Sequence, residues 1–182
     1  MKGTIALVGM PGSGKSTVGK QLARRLQLDF VDSDHLIEER LGCPIRTYFE
    51  REGEEAFRGV EQSVIDELTR RDGLVLSTGG GSVLRQENRR YLHDRCLVVY
   101  LRSSPEEVLR RVRHDRNRPL LQVSDPMQAL RDMYQVRDPL YRQTAHFVID
   151  TGRPSVATLV NMIIMQLELA GRRPAAPAPA PD

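Results

Sequence analysis

Five short apolar runs punctuate the chain at Thr4–Val8, Asp29–Asp32, Gly73–Ser77, Cys96–Leu101 and Phe147–Asp150, several of them apolar almost without interruption. A strand with one wet face alternates apolar and polar residues, whereas a continuous run fits a strand covered on both faces of a parallel sheet. Between and after these runs the pattern turns helical, at about Lys15–Leu26, Glu52–Arg71, Pro105–Arg113, Asp125–Ala145 and Ser155–Leu169. In the second of these stretches Ala56, Val60, Val64 and Leu68 recur every four residues. They draw one apolar stripe for the sheet and leave Arg58 about 200° around the helix, facing away from the core. Strand and helix in alternation predict a doubly wound α/β sandwich. No internal repeat of useful period is present, which sets solenoids aside.

Composition narrows the picture without redirecting it. The 182 residues suit one domain with one core, and 40% apolar with 28% charged residues is the balance of a folded globular protein. A net charge of +3, with acids interleaved among the arginines and only nine aromatic side chains, offers no nucleic-acid platform. Lysine occurs only at positions 2, 15 and 20, so Lys15 stands out among guanidinium groups suited to carboxylates and phosphates. Cys43 and Cys96 lack metal-site or disulfide-framework spacing and are expected to be ordinary reduced thiols. The apolar run at the start is too short to span a membrane and is broken at once by Gly9, Pro11 and Gly12, so a cytoplasmic location is expected. From Gly171 the chain reads GRRPAAPAPAPD, which cannot build a core. The expected organisation is one domain over 1–170 and a disordered Pro/Ala-rich tail over 171–182.

The sequence Gly9-Met10-Pro11-Gly12-Ser13-Gly14-Lys15-Ser16 fits G-x-x-x-x-G-K-[ST], between a predicted strand and a predicted helix. Such a P-loop turns its backbone N–H groups inward and adds the positive end of the following helix, a cradle for a polyphosphate. Gly12, Ser13, Gly14, Lys15, Ser16 and Thr17 are the candidate nucleotide contacts. Lys15 reaches the β and γ phosphates, and the Ser16 hydroxyl is a ligand for one Mg²⁺. No Asn is followed by Lys, so the N-K-x-D guanine signature is missing and guanine specificity loses support.

Asp32 and Asp34 follow the second run, two residues apart, and point to the same side if the strand persists. At the carboxyl edge of a parallel sheet one carboxylate, Asp32, can hold magnesium through water while the other, Asp34, orients or deprotonates a hydroxyl. A helix cap is the competing role for Asp34. Thr78-Gly79-Gly80-Gly81 follows the third run and exposes bare backbone, either for a ligand or as a flexible turn. The stretch from Arg111 to Pro126 is charged and weakly periodic, and reads as a mobile lid or an exposed loop. Taken singly, Arg58 and Arg137 are unremarkable, since most arginines serve a solvated face.

Together, GMPGSGKS, DSD at 32–34, GEEAFRGVE at 53–61, TGGG at 78–81, RPLL at 118–121 and RDPLY at 137–141 resemble the shikimate kinase family in order and spacing, over about residues 4–168. The resemblance implies a three-layer P-loop kinase fold with a five-stranded parallel sheet in the order 2-3-1-4-5. It also implies a helical substrate-binding region at about 33–61 and a lid at about 111–126. By matching positions, Asp34 would bind the ring hydroxyls and activate the 3-hydroxyl of shikimate. Arg58 and Arg137 would clamp its carboxylate, and Gly79, Gly80 and Gly81 would lie against it. Arg118 would be the lid arginine that meets the phosphates, with Arg116 second to it, and Arg153 would lie beside the adenine. Asp34, Lys15 and Arg118 would then form the catalytic set of a cytoplasmic monomer acting on ATP, Mg²⁺ and shikimate, without nucleic acid or membrane. Tyr48-Phe49 departs from the family's usual Ile-Phe, away from every candidate site. Rival readings are a gluconate-type or adenylate-type kinase on the same fold, and a switch module that binds ATP without transferring phosphate.

Overall fold

A computed structural model describes residues 3–113 and 123–171. Arg116 and Arg118, most of the expected lid, and the Pro/Ala-rich segment beyond residue 171 lie outside the described residues. Five strands, β1 (Thr4–Val8), β2 (Asp29–Asp32), β3 (Leu74–Ser77), β4 (Cys96–Arg102) and β5 (Phe147–Asp150), pair in parallel in the order β2-β3-β1-β4-β5. The helices among the described residues are α1 (Lys15–Leu26), α2 (Ser33–Leu41), α3 (Ile45–Glu52), α4 (Glu54–Leu68), α5 (Gln86–Arg95), α6 (Pro105–Val112), α7 (Pro126–Thr144) and α8 (Val156–Leu169).

The most continuous apolar runs are continuous because β1, β3 and β4 each feed two cores. Successive residues of a strand point to opposite faces. Ile5, Leu7, Val75, Leu97, Val99 and Leu101 therefore pack under α1 and α8, while Ala6, Val8, Leu74, Leu76, Val98 and Tyr100 pack under α4, α5 and α7. Parallel register brings the carboxyl ends of β1, β2 and β3 to one edge, and the loops that leave this edge carry the candidate chemistry. Among the described residues no helix is long and apolar enough to cross a membrane. Cys43 is half-buried and Cys96 buried, and neither is in a disulfide among the described residues.

Four differences from the sequence reading have physical causes. The apolar stripe of α4 runs through Phe57, Glu61, Val64, Ile65 and Leu68, one position round from Ala56 and Val60, which are only partly buried. Arg58 consequently does not face away from the core; its side chain is 11% exposed. The strand does not persist to Asp34: β2 stops at Asp32, whose Oδ1 accepts the N–H groups of Asp34 (3.0 Å) and His35 (3.2 Å) and so caps α2. The cap is therefore Asp32, and Asp34 lies in the first turn of the helix. Finally, α5 escaped the periodicity search because only Asn88 and Leu92 of its residues are buried. Arg111 and Val112 likewise belong to the last turn of α6 and not to a lid.

Candidate active site

The loop after β1 closes on itself before it meets anything else. Lys15 is buried, and its Nζ donates to the carbonyls of Gly9 and Met10, both at 2.8 Å. Gly14 precedes α1 at φ 92°, a left-handed conformation in which a side chain would be strained, so the turn into the helix depends on glycine. The loop lines a cleft of about 390 Å³ with Pro11, Gly12, Gly14, Lys15, Ser16 and Thr17; Asp32, Asp34, Ser77, Gly79 and Arg111 complete its wall. Ser13 is buried behind this surface, its N–H bonded to the Met10 carbonyl.

Asp32 divides its two oxygens between two tasks. Oδ1 caps α2, while Oδ2 accepts the Ser16 hydroxyl at 2.5 Å, and Ser77 Oγ lies 3.4 Å from Ser16 Oγ. This is a small station of hard oxygen donors at the mouth of the cradle, a donor set that suits a magnesium ion sharing its coordination with phosphate oxygens and water. Among the described residues no cluster of three or more His, Cys, Asp or Glu side chains forms a self-sufficient metal cage.

The three glycines after β3 make room, each for a different neighbour. A Cβ on Gly79 would collide with the Asp34 carboxylate. On Gly80 it would lie 2.6 Å from Pro11 Cδ of the phosphate loop, and on Gly81 2.5 Å from Arg58 Nη1. The loop is pinned from behind by Thr78, whose hydroxyl donates to the Leu7 carbonyl at 2.8 Å. Gly79 N–H is taken by Ser33 Oγ (3.2 Å), whereas the N–H groups of Gly80 and Gly81 carry no hydrogen bond among the described residues. Gly79 therefore contributes space for Asp34, and Gly80 and Gly81 offer the donors.

Beyond the glycines lies a charged cluster. Arg58 Nη1 donates to Glu61 Oε1 at 2.9 Å, with the Glu61 side chain 1% exposed, and Arg58 Nε lies 3.5 Å from Glu54 Oε1. Burial pushes the Glu61 carboxyl above its usual range, against the pull of Arg58, Arg137 and Arg85. The Asp34 carboxyl is raised to about 7, first by burial and then by the charges of Glu61 and Asp32, with Lys15 acting in the opposite sense. These influences place Asp34 between the ammonium of the phosphate cradle and the acid–guanidinium cluster. A carboxyl held near neutrality is suited to taking a proton from an alcohol.

Of the residues named from sequence, Gly12, Gly14, Lys15, Ser16, Thr17, Asp32, Asp34, Gly79 and Gly80 line one cleft, and Gly81, Arg58 and Arg137 adjoin it through the glycine loop and Glu61. Arg153 stands apart, exposed in a second hollow with Arg102, Ser104, Glu107 and Pro154. Arg111 bridges the two, donating to the Ser13 carbonyl (3.0 Å) and the Thr151 carbonyl (3.1 Å). Sequence reasoning passed over Arg111, Ser77 and Glu61 as site residues. The signal for Glu61 was present: drawing the stripe through Phe57 puts a carboxylate at a core position, three residues after an arginine.

Comparison with known proteins converges on one family. A family model described as shikimate kinase matches residues 11–168. A shikimate kinase of Paracidovorax citrulli is 58% identical over 177 residues, 96% of this chain and 97% of that one. Another, from Ralstonia nicotianae, is 56% identical over 167 residues, 92% of this chain and 88% of that one. Among solved structures, the shikimate kinase of Acinetobacter baumannii in complex with shikimate superposes with a TM-score of 0.88 at 47% identity, covering 94% of this chain and 96% of that one.

Proposed function

The chain belongs to the shikimate kinase family, and on that premise we propose that its cleft transfers the γ-phosphoryl group of ATP to the 3-hydroxyl of shikimate, giving shikimate 3-phosphate and ADP. The observation that carries the reading is the position of Asp34, against Gly79 and under the opposing influences of Lys15 and Glu61, where the phosphate cradle meets the guanidinium cluster. Arg58 and Arg137 hold the substrate carboxylate by charge-assisted hydrogen bonds that a neutral polyol would leave unmade. The Gly80 and Gly81 N–H groups face the same substrate.

With the acid end fixed, the 3-hydroxyl lies beside Asp34 and in line with the terminal phosphorus. Its oxygen attacks the γ phosphorus as the bond from phosphorus to the β–γ bridging oxygen breaks, and the hydroxyl proton passes to Asp34. The departing electron pair stays on ADP. Little covalent help is needed in such a transfer, so positioning and charge stabilisation by Lys15 and the loop N–H groups contribute most. Ser16 and Asp32 would hold one Mg²⁺, which when bound would offset negative charge on the phosphates. Arg118 belongs to the lid and meets the transferring phosphate, and Arg153 lies beside the adenine, with Arg111 linking it to the cradle. The lid keeps water from the phosphorus.

In this reading one domain over 1–170 houses both sites, and the protein is a cytoplasmic monomer in the route to chorismate and the aromatic amino acids. Its partners are ATP, Mg²⁺ and shikimate, not nucleic acid or a membrane. The test is a coupled ADP-release assay with shikimate, gluconate, AMP or no acceptor. ADP release that depends on shikimate supports the reading. Release that is independent of acceptor, or that follows gluconate or AMP instead, overturns it.

A further inference from the structure

The tyrosine that closes RDPLY has no task in the scheme so far, yet it is among the most completely buried polar side chains of the molecule. Tyr141 is 0% exposed, and its ring packs against Tyr100 at 5.0 Å between centroids. Its hydroxyl donates to the carbonyl of Gly80 at 2.6 Å. Gly80 is thereby held from two sides, by Tyr141 through its carbonyl and by Pro11 of the phosphate loop, which lies where a side chain would be. The next residue, Gly81, is the one against which the Arg58 guanidinium rests.

The two clamp arginines come from different helices, Arg58 from α4 and Arg137 from α7, and a carboxylate demands that their guanidiniums be correctly spaced. Adjacent glycines index both helices: α4 rests its arginine on Gly81, and α7 anchors to Gly80 through Tyr141, one helical turn beyond Arg137. From this arrangement we infer that Tyr141 is a positioning residue, whose hydroxyl bond to Gly80 sets the register of Arg137 against Arg58 and the Gly80–Gly81 donors, and so governs affinity for the acceptor's carboxylate. Burial pushes the hydroxyl up to about 12, against the pull of Arg137 and Arg58, so it stays a donor throughout the working pH range.

The inference rests on the proposed acceptor, and the test separates the two. Tyr141→Phe removes only the hydroxyl. Tyr100→Phe is its control, because the Tyr100 hydroxyl also makes a 2.7 Å bond, but to Asp138 and not to the glycine loop. Steady-state kinetics in both substrates and calorimetric binding of shikimate and ATP are measured for wild type and both variants, with thermal melts. For Tyr141→Phe the expected result is a KM and Kd for shikimate raised about tenfold, the scale of one well-placed buried hydrogen bond, with KM for ATP and kcat within about twofold of wild type. Tyr100→Phe is expected to lower the melting temperature comparably while leaving shikimate affinity unchanged. Unchanged shikimate affinity in Tyr141→Phe overturns the inference. So does a loss spread equally over shikimate, ATP and kcat, or an equal effect from both variants. A wild type that does not use shikimate refutes the functional reading instead.

Discussion

Asp34→Asn removes a carboxyl that burial and the charges of Glu61 and Asp32 hold at a pKa of about 7, against 3.8 for the solvated side chain. A raised carboxyl pKa means that the folded protein binds this proton more tightly than the unfolded chain does. Folding stability is therefore greatest below the unfolded value and declines as pH rises from about 4 to about 7, after which the loss is complete. The displacement of about three units corresponds to a ceiling of roughly 4 kcal/mol at about 1.4 kcal/mol per unit. Asp34 borders an open cleft and faces Lys15, so solvent and the ammonium screen it, and about 2 kcal/mol is the expected penalty of its charge. Asparagine keeps the shape and never ionises. At about 2–4 °C per kcal/mol for a chain of this size, the variant should melt roughly 4–8 °C above wild type at pH 8. The gap should close towards pH 4. Turnover should fall by about 10²-fold or more, the usual loss when a positioned base is removed, with ATP affinity retained. Ligand-free melts at both pH values, paired with initial rates at pH 8, are the assay. An asparagine variant that melts at or below wild type at pH 8, or a gap that ignores pH, would refute the electrostatic reasoning. Near wild-type turnover would remove Asp34 from the chemistry.

The remaining expectations concern its neighbours. Arg58→Ala should raise KM for shikimate about 10²-fold with ATP binding intact, and should cost about 3 kcal/mol in stability by depriving buried Glu61 of its nearest cation; adding Glu61→Gln should restore stability but not shikimate binding, as melts and calorimetry can check. In Gly79→Ala the new methyl collides with the Asp34 carboxylate, so kcat should drop by about tenfold to a hundredfold while nucleotide affinity holds, read by steady-state kinetics and nucleotide titration. Ser16→Ala removes an oxygen donor from the proposed magnesium station and should raise the Mg²⁺ concentration for half-maximal rate by about tenfold, with shikimate affinity little changed.

How much of this was legible in the sequence depended on whether a residue's role was local. The phosphate loop was fully legible, because a strand, a glycine-rich turn and a helix N-terminus build the cradle from consecutive residues. The parallel sheet was legible from continuous apolar runs, since two-sided burial leaves that pattern directly in the strand. The 2-3-1-4-5 order came from family resemblance, because alternation of elements alone does not fix which strands are neighbours. The helix at Gln86–Arg95 was not legible: it buries only Asn88 and Leu92, and its polar face hides the period. Arg58 was misplaced by one position of the stripe, an error of about 100° on a helix, enough to turn a nearly buried residue towards water. Asp32 and Asp34 line the same cleft, but not as neighbours on one strand: their division of labour depended on where β2 ends, and helix caps are set by backbone geometry that spacing does not encode. Arg111 and Tyr141 escaped notice because each acts through a partner far along the chain, Arg111 through Ser13 and Thr151 and Tyr141 through Gly80, whereas Glu61, paired with Arg58 three residues away, was lost with the misdrawn stripe.

A crystal structure of the enzyme with ADP, Mg²⁺ and shikimate bears most directly on the claim that cradle and clamp serve one reaction. The carboxylate of shikimate should lie on Arg58 and Arg137, and its 3-hydroxyl should lie within hydrogen-bond reach of Asp34 on the side facing the β-phosphate. Shikimate bound with its carboxylate elsewhere, or with Asp34 turned away from the ring hydroxyls, would contradict the account.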